Sequence, residues 1–339
     1  HELVFFGNSL SRQIIQQKYL RYVEVDERSD DSIRLALNKL DNPYVVSSLN
    51  RFAIKAAKIL NLKSAFIDGL TWLWDEIPEE YLSADVYFAL NFIGVKDKVH
   101  SSGKKNIVQI PYILDTVGLN KGNVQREDFF LVHIGGFKNP LYNSQENNYL
   151  TILSQVLNSI NLQSSMIVTG GTEALKFLKS GNKNNRITFK TYPKDEFQVL
   201  MTRCKKLITT SGLTTTMEAF YSETPVHFLL PSNLSQYKIY NLLKDRGLVN
   251  ESLEWDQYFL NIKDDLWGQT EADALRLIDK FAKEILRDRP VINALAESLE
   301  RQLASEPTTD GQKKFINANG VNGANTIFNE INKRWFTDE

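Results

Sequence analysis

The feature that most constrains this chain is a regular alternation of short apolar runs and helical periods between residues 129 and 245. Phe129–Ile134 reads as a strand ending in Gly135-Gly136, followed by a helix over Tyr149–Ile160. Ser165–Val168 ends in Thr169-Gly170-Gly171 and leads to a helix over Ala174–Leu178. Ile187–Phe189 precedes a helix over Asp195–Arg203, and Lys206–Thr209 precedes one starting at Leu213. Val226–Leu230 precedes a helix near Gln236–Asp245. Strands alternating with helices form βαβ units and a parallel sheet. Five such units in succession predict a Rossmann-like domain.

The first third repeats the theme more faintly. Leu3–Phe6 and Tyr44–Val46 read as strands. Asn50 caps a helix whose apolar positions Phe52, Ala53, Ala56, Ala57 and Leu60 make one buried face. Ser64–Ile67 is a strand that opens into Asp68-Gly69-Leu70-Thr71-Trp72-Leu73-Trp74-Asp75, and Val86–Phe92 and Ile107–Gln109 are further strands. A length of 339 residues fits two domains. The expected organisation is an α/β domain over 1–115, a polar linker over 116–128 and a second α/β domain over 129–312. The opening His1-Glu2-Leu3-Val4-Phe5-Phe6-Gly7 starts inside a strand pattern, so a preceding strand and helix are expected to be missing from the sequence.

Composition removes several function classes. Lys and Arg number 40 against 41 Asp and Glu, a formal charge of −1, so no bulk basic field gathers nucleic acid or an anionic membrane. Phosphate binding must come from a local site. One cysteine, Cys204, excludes an intramolecular disulfide and a cysteine-built zinc site, and is read as structural. Val86–Val95, the longest apolar candidate, is interrupted by Asn91 and falls short of the ~18 residues a membrane span needs. The histidines at 1, 100, 133 and 227 lack metal-ligand spacing, and His133 and His227 are read as core residues. The runs Asp26–Asp31 and Lys263-Asp264-Asp265 are read as solvated faces, and no metal is expected. No G-x-G-x-x-G run supports a dehydrogenase.

The segment from Leu207 to Phe220 carries the chemistry. A strand ends in Thr209-Thr210-Ser211, Gly212 permits a tight turn, and a helix opens with Thr214-Thr215-Thr216. β-branched residues are mediocre helix formers, so propensity does not explain them. At a helix start, hydroxyls and free N–H groups converge with the positive end of the macrodipole, a setting suited to a diphosphate. Plain N-capping by hydroxyl residues is the other reading.

With its neighbours, this segment resembles the donor-binding domain of GT-B glycosyltransferases of the UDP-glycosyltransferase and MurG type. Their signature runs H-C-G-W-N-S-T-x-E, then G-x-P, then P…D-Q. With the glycines aligned, Thr210, Ser211, Gly212, Leu213, Thr214, Thr215, Thr216 and Glu218 take successive positions, and Pro225 and Gln236 match as well. The resemblance implies that Thr210, Ser211, Gly212, Thr214 and Thr215 hold the donor diphosphate, with Gly135 and Gly136 as the close-approaching glycine loop. It implies that Glu218 accepts from the ribose hydroxyls, that Lys190–Tyr192 lie along the base, and that Ser235 and Gln236 meet the sugar. Thr210 replaces the family's phosphate-contacting histidine, and Ser235 stands where an aspartate usually binds sugar hydroxyls.

The resemblance further implies two Rossmann-like domains facing a central cleft, with residues 313–339 returning as a helix to the first domain. The acceptor and a catalytic base would belong to that domain. Asp68 and Asp75 are the candidate bases, and Trp72 and Trp74 the candidate acceptor wall; a core-anchoring aromatic pair with solvated acids is the alternative. The expected function is transfer of a sugar from a UDP- or dTDP-linked donor, without a metal, with inversion, in a bacterial cytoplasm. The nucleotide sugar is a co-substrate, and no cofactor is expected. The acceptor could be a small molecule, a lipid-linked sugar or a protein, and a homodimer is compatible with the family. A nucleotide-sugar hydrolase or 2-epimerase, and a silent scaffold or activator, stand as rivals.

Overall fold

The computed structural model describes residues 2–7, 21–119, 124–135, 147–259 and 262–336. Its contacts divide the chain into two units, one of His1–Ile113 with Asn319–Glu339 and the other of Leu114–Ala318.

In the first unit, β1 (Val4–Gly7) pairs in parallel with β2 (Arg21–Glu24). After α1 (Asp30–Leu37) comes a separate parallel sheet of β3 (Val45–Ser48), β4 (Ser64–Asp68), β5 (Val86–Leu90) and β6 (Ile107–Ile110), in that order. The helices α2 (Arg51–Ile59), α3 (Glu79–Leu82) and α4 (Val95–Ser102) connect these strands. Sequence patterning missed β2 and α1. The Ser29 hydroxyl accepts from the Ser32 N–H at 3.1 Å and caps α1, whose first turn holds Asp30 and Asp31. The acidic run is therefore in part a helix start, where negative charge suits the dipole.

The cap expected of Asn50 is present: its Oδ1 accepts from the N–H groups of Phe52 and Ala53 at 3.0 and 3.3 Å. The buried face of α2 differs in detail. Ile54, Ala56 and Ala57 are fully buried, whereas Phe52, Ala53 and Leu60 are only partly covered. Arg51, Lys55 and Lys58 form one exposed stripe and the apolar residues fill the wide remainder, so packing decides which of them go deepest.

The second unit holds β7 (Glu127–His133), α5 (Asn148–Ser159), β8 (Ser165–Thr169), α6 (Thr172–Gly181) and β9 (Ile187–Phe189), then α7 (Lys194–Arg203), β10 (Cys204–Thr209), α8 (Leu213–Tyr221), β11 (Val226–Phe228) and α9 (Leu234–Lys244). All five strands are parallel, in the order β11-β10-β7-β8-β9. From β7 the chain steps outward to β8 and β9, crosses back to β10 on the other side of β7, and steps outward again to β11. Right-handed crossovers then put α5 and α6 on one face and α7 and α8 on the other.

A 3₁₀ turn (Trp255–Gln257) and helices α10 (Ile262–Trp267), α11 (Glu271–Leu286), α12 (Arg289–Ala304) and α13 (Asp310–Asn319) follow. Residues of α11 and α12 join Phe130, Val132, Leu153, Val156 and Val168 in one apolar core. Lys206 of β10 is 3% exposed, yet its ammonium is satisfied by the carbonyls of Gln302, Leu303 and Ser305. It caps the end of α12, where cations are favoured.

The last helix, α14 (Gly323–Trp335), packs within the first unit. Its Ile327 and Trp335 lie against Ala65, Val86, Phe88 and Ile110, and Trp335 stacks on Tyr44 with ring centroids 5.1 Å apart. No helix among the described residues is long and apolar enough to cross a membrane.

Candidate functional site

In an open parallel sheet, ligands bind beyond the carboxyl ends of the strands where neighbouring connections leave in opposite directions. In the second unit that point lies between β7 and β10, which are neighbours with His133 paired to Thr209. The loop from β7 departs toward α5 and that from β10 toward α8.

Gly212 is the N-cap of α8 and makes no side-chain cap. Its own N–H donates to the Thr210 carbonyl at 2.7 Å, which sets the tight turn. Its carbonyl accepts from the Thr216 N–H at 3.0 Å and the Thr216 hydroxyl at 2.7 Å. Thr216 thus spends its hydroxyl inside the helix. Thr214 is exposed and Thr215 half-buried, and a Cβ added to Gly212 would meet no atom of the described residues within 4 Å. The N–H groups of Leu213, Thr214 and Thr215 belong to the first turn, where no carbonyl of the helix can reach them. Hydroxyl capping of the N-cap kind is not what these threonines do.

Across the switch point, Gly135 has φ +71°, a conformation that favours glycine, and a Cβ added there would likewise meet no atom of the described residues within 4 Å. Its carbonyl accepts from the Gly171 N–H at 3.0 Å. Gly136 lies outside the described residues.

Ser211 is fully buried and its hydroxyl donates to the Gln236 carbonyl at 2.7 Å. A buried hydroxyl must find an internal partner, so any contact from Ser211 to a ligand falls to its main chain. Thr210 is also buried, at 4% exposure.

The same bond draws Gln236 to the turn. The Gln236 side-chain oxygen accepts from the Ser232 N–H and hydroxyl at 2.8 and 2.9 Å, leaving its amide N–H₂ without a described partner. Ser235 donates its hydroxyl to Asn233 Oδ1 at 2.9 Å, the atom that caps α9 by accepting from the Gln236 N–H.

Glu218 is nearly sealed, with its side chain 4% exposed. Gln198 Nε2 donates to Glu218 Oε1 at 3.0 Å, and the half-exposed Lys194 ammonium lies 3.7 Å from the same oxygen. Gln198 Nε2 also donates to the Asp115 carbonyl at 2.9 Å. Burial raises the Glu218 carboxyl above the usual carboxylate range, opposed by the Gln198 hydrogen bond and the Lys194 charge. Sequence reasoning missed Lys194 and Gln198; their four-residue spacing on one face of α7 is the signal that could have found them.

Lys190 is exposed and lies over the Tyr192 ring, 4.6 Å from its centroid, just before Pro193 begins α7. One face of the tyrosine is thereby covered by the ammonium.

In the first unit, Asp68 is fully buried at the carboxyl end of β4. Its Oδ1 accepts from the Leu70 N–H at 2.6 Å; its Oδ2 accepts from the Trp74 indole at 2.8 Å and from the Tyr87 hydroxyl. Thr71 and Tyr87 share a further hydrogen bond of 2.9 Å. This corrects the picture of Asp68 as an open base on a rim: both oxygens hold the loop that follows β4. Asp75 is exposed.

Trp72 is 5% exposed, donates to the Gly69 carbonyl at 3.0 Å and meets Phe92 edge-on. Lys98 binds the carbonyls of both Trp72 and Trp74. Trp72 is therefore a core anchor, while Trp74 is half-buried against Tyr81. Neither forms an open stacking wall.

The two strand histidines part company. His227 is fully buried with Nδ1 2.6 Å from the Glu251 carbonyl. His133 is only part-buried, its ring 4.6 Å from that of Phe197. Cys204 is buried and its thiol is pushed up to about 12 by desolvation, which makes it inert.

No protein-family model and no curated protein matches the chain. Solved structures do. A protein from Listeria monocytogenes assigned as a UDP-N-acetylglucosamine 2-epimerase is similar over 100% of this chain and 89% of its own, with 13% identity and a TM-score of 0.56. CalG4, the calicheamicin glycosyltransferase, is similar over 99% and 92%, with 11% identity and a TM-score of 0.51. The spinosyn forosaminyltransferase SpnP is similar over 94% and 92%, with 13% identity and a TM-score of 0.51. The chain has the GT-B fold. At these identities the likeness speaks for the fold, and it covers both Rossmann-like units of this chain. The GT-B architecture expected from the Gly212 segment is thus present.

Proposed function

We propose that this GT-B protein is a glycosyltransferase that binds a UDP- or dTDP-linked sugar at the carboxyl ends of β7 and β10. The carrying observation is the uncapped first turn of α8 at the switch point of the sheet, where a Cβ added to Gly212 would meet no atom of the described residues within 4 Å. Main-chain N–H groups and the helix dipole compensate a diphosphate there without a metal. Thr214 and Thr215 supply hydroxyls, and Gly135 lets the ligand approach the backbone. Glu218 takes the ribose diol, and Lys190 and Tyr192 flank the base. The Gln236 amide faces the sugar. In the reaction an acceptor hydroxyl attacks the anomeric carbon, its proton goes to a base, and the nucleoside diphosphate leaves from the opposite face.

The test is calorimetry of the protein with a panel of UDP- and dTDP-sugars, followed by mass spectrometry of acceptor mixtures. A new glycoside formed with release of nucleoside diphosphate supports transfer. Failure of every nucleotide to bind overturns the reading and leaves a silent scaffold.

The likeness to the Listeria protein favours a second reading, a 2-epimerase or hydrolase on the same diphosphate site. Epimerised or released sugar from donor alone, with no acceptor present, selects it.

A further inference from the structure

His133 is the last residue of β7, the central strand of the second unit. Alternation along the strand sends Phe130, Val132 and Ile134 into the core shared with α5, α6, α11 and α12. His133 therefore lies on the opposite face, where its ring packs against Phe197 of α7. Gln198, the next residue on α7, is bonded to Glu218 of α8, so both helices border the ring's side of the sheet.

The position is also fixed along the strand. His133 is paired with Thr209, and the Thr209 hydroxyl donates to the His133 carbonyl at 2.9 Å. One residue beyond Thr209 begins the Thr210–Gly212 turn; two residues beyond His133 is Gly135. His133 thus stands at the carboxyl end of β7, in register with the strand end that leads into the Gly212 turn and two residues before Gly135.

Neither ring nitrogen makes a hydrogen bond to a described residue, although the ring is part-buried and imidazoles in such settings ordinarily take a partner. Desolvation holds its pKa down to about 4. At neutral pH the ring accordingly carries one N–H donor and no charge.

We infer that His133 donates an imidazole N–H to the diphosphate of the bound nucleotide, beside the first turn of α8. The inference rests on the nucleotide-binding reading above.

The test is calorimetry of the wild type, His133→Gln and His133→Phe with UDP and dTDP, and with uridine and thymidine. His133→Phe should lose about tenfold in diphosphate affinity, the scale of one hydrogen bond to a charged group. Its affinity for the nucleosides should hold within about twofold, and His133→Gln, whose amide can donate, should keep most of the diphosphate affinity. Undiminished diphosphate binding by His133→Phe overturns the inference, as does an equal loss for nucleosides. In the wild type, the ¹⁵N resonances of this ring should shift with UDP or dTDP and stay put with the nucleoside. Their failure to move with either diphosphate also overturns it, whether or not the variants fold. Wild-type protein that binds no nucleoside diphosphate removes the nucleotide reading itself; unaltered binding in His133→Phe removes only the role of His133.

Discussion

The Ser211 hydroxyl donates to the main-chain carbonyl of Gln236 at 2.7 Å, joining the turn that opens α8 to the first turn of α9. Two segments to which the resemblance gives the diphosphate and the sugar are thereby joined by one buried bond. Ser211→Ala removes this second donor to a carbonyl that α9 already pairs internally, and should cost about 1 kcal/mol, the net worth of one hydrogen bond. A thermal melt should show a lowered midpoint; an unaltered midpoint would mean that the bond carries no stability.

Glu218 and Lys194 give a pH signature. Burial favours the protonated carboxyl, so Glu218 keeps its proton in the folded protein to higher pH than in the unfolded chain. This group therefore withdraws stability above the usual carboxylate range and returns it as pH falls through its raised pKa. Removing the ammonium with Lys194→Met should raise that pKa further. A ¹³C titration of the Glu218 carboxyl in both proteins checks the shift, and coincident curves would contradict it.

The ribose role of Glu218 has its own consequence. Glu218→Ala should weaken UDP or dTDP binding by ~1–3 kcal/mol, as expected for a lost charge-assisted hydrogen bond. Calorimetry that returns the wild-type affinity would remove that role.

Asp68 is expected to act on stability. Asp68→Asn turns an acceptor of three hydrogen bonds into a side chain that is half donor, facing the Leu70 N–H, the Trp74 indole and the Tyr87 hydroxyl. The cost should be at least ~1–3 kcal/mol, seen as a lower melting point together with altered tryptophan fluorescence from Trp74. Tyr87→Phe, which removes one donor, should cost about 1 kcal/mol. Full stability of Asp68→Asn would contradict a structural role for this carboxylate.

These residues mark how far the sequence was legible. The start of α8 at Leu213 and the strand before it were readable because Gly212 interrupts two local periods, 2 and 3.6, that need no tertiary information. The same holds for Asn50, whose cap is made within three residues of itself. β2 was lost because Arg21–Glu24 has only two apolar residues, Tyr22 and Val23, too few to show a period. The true settings of Asp68 and Glu218 were illegible for another reason. Tyr87 lies 19 residues from Asp68 and Gln198 lies 20 from Glu218, so each pairing depends on register between distant elements. A position at a strand end or on a helix says that a carboxylate is near the ligand edge of a sheet; it does not say which way the surrounding protein has turned it.

The most direct measurement is a ¹⁵N amide map of the protein on addition of UDP or dTDP. The N–H resonances of Leu213, Thr214 and Thr215 should move most, together with that of Gly135 across the switch point. Binding of the nucleotide with those four amides unmoved would contradict the claim that the first turn of α8 grips the diphosphate.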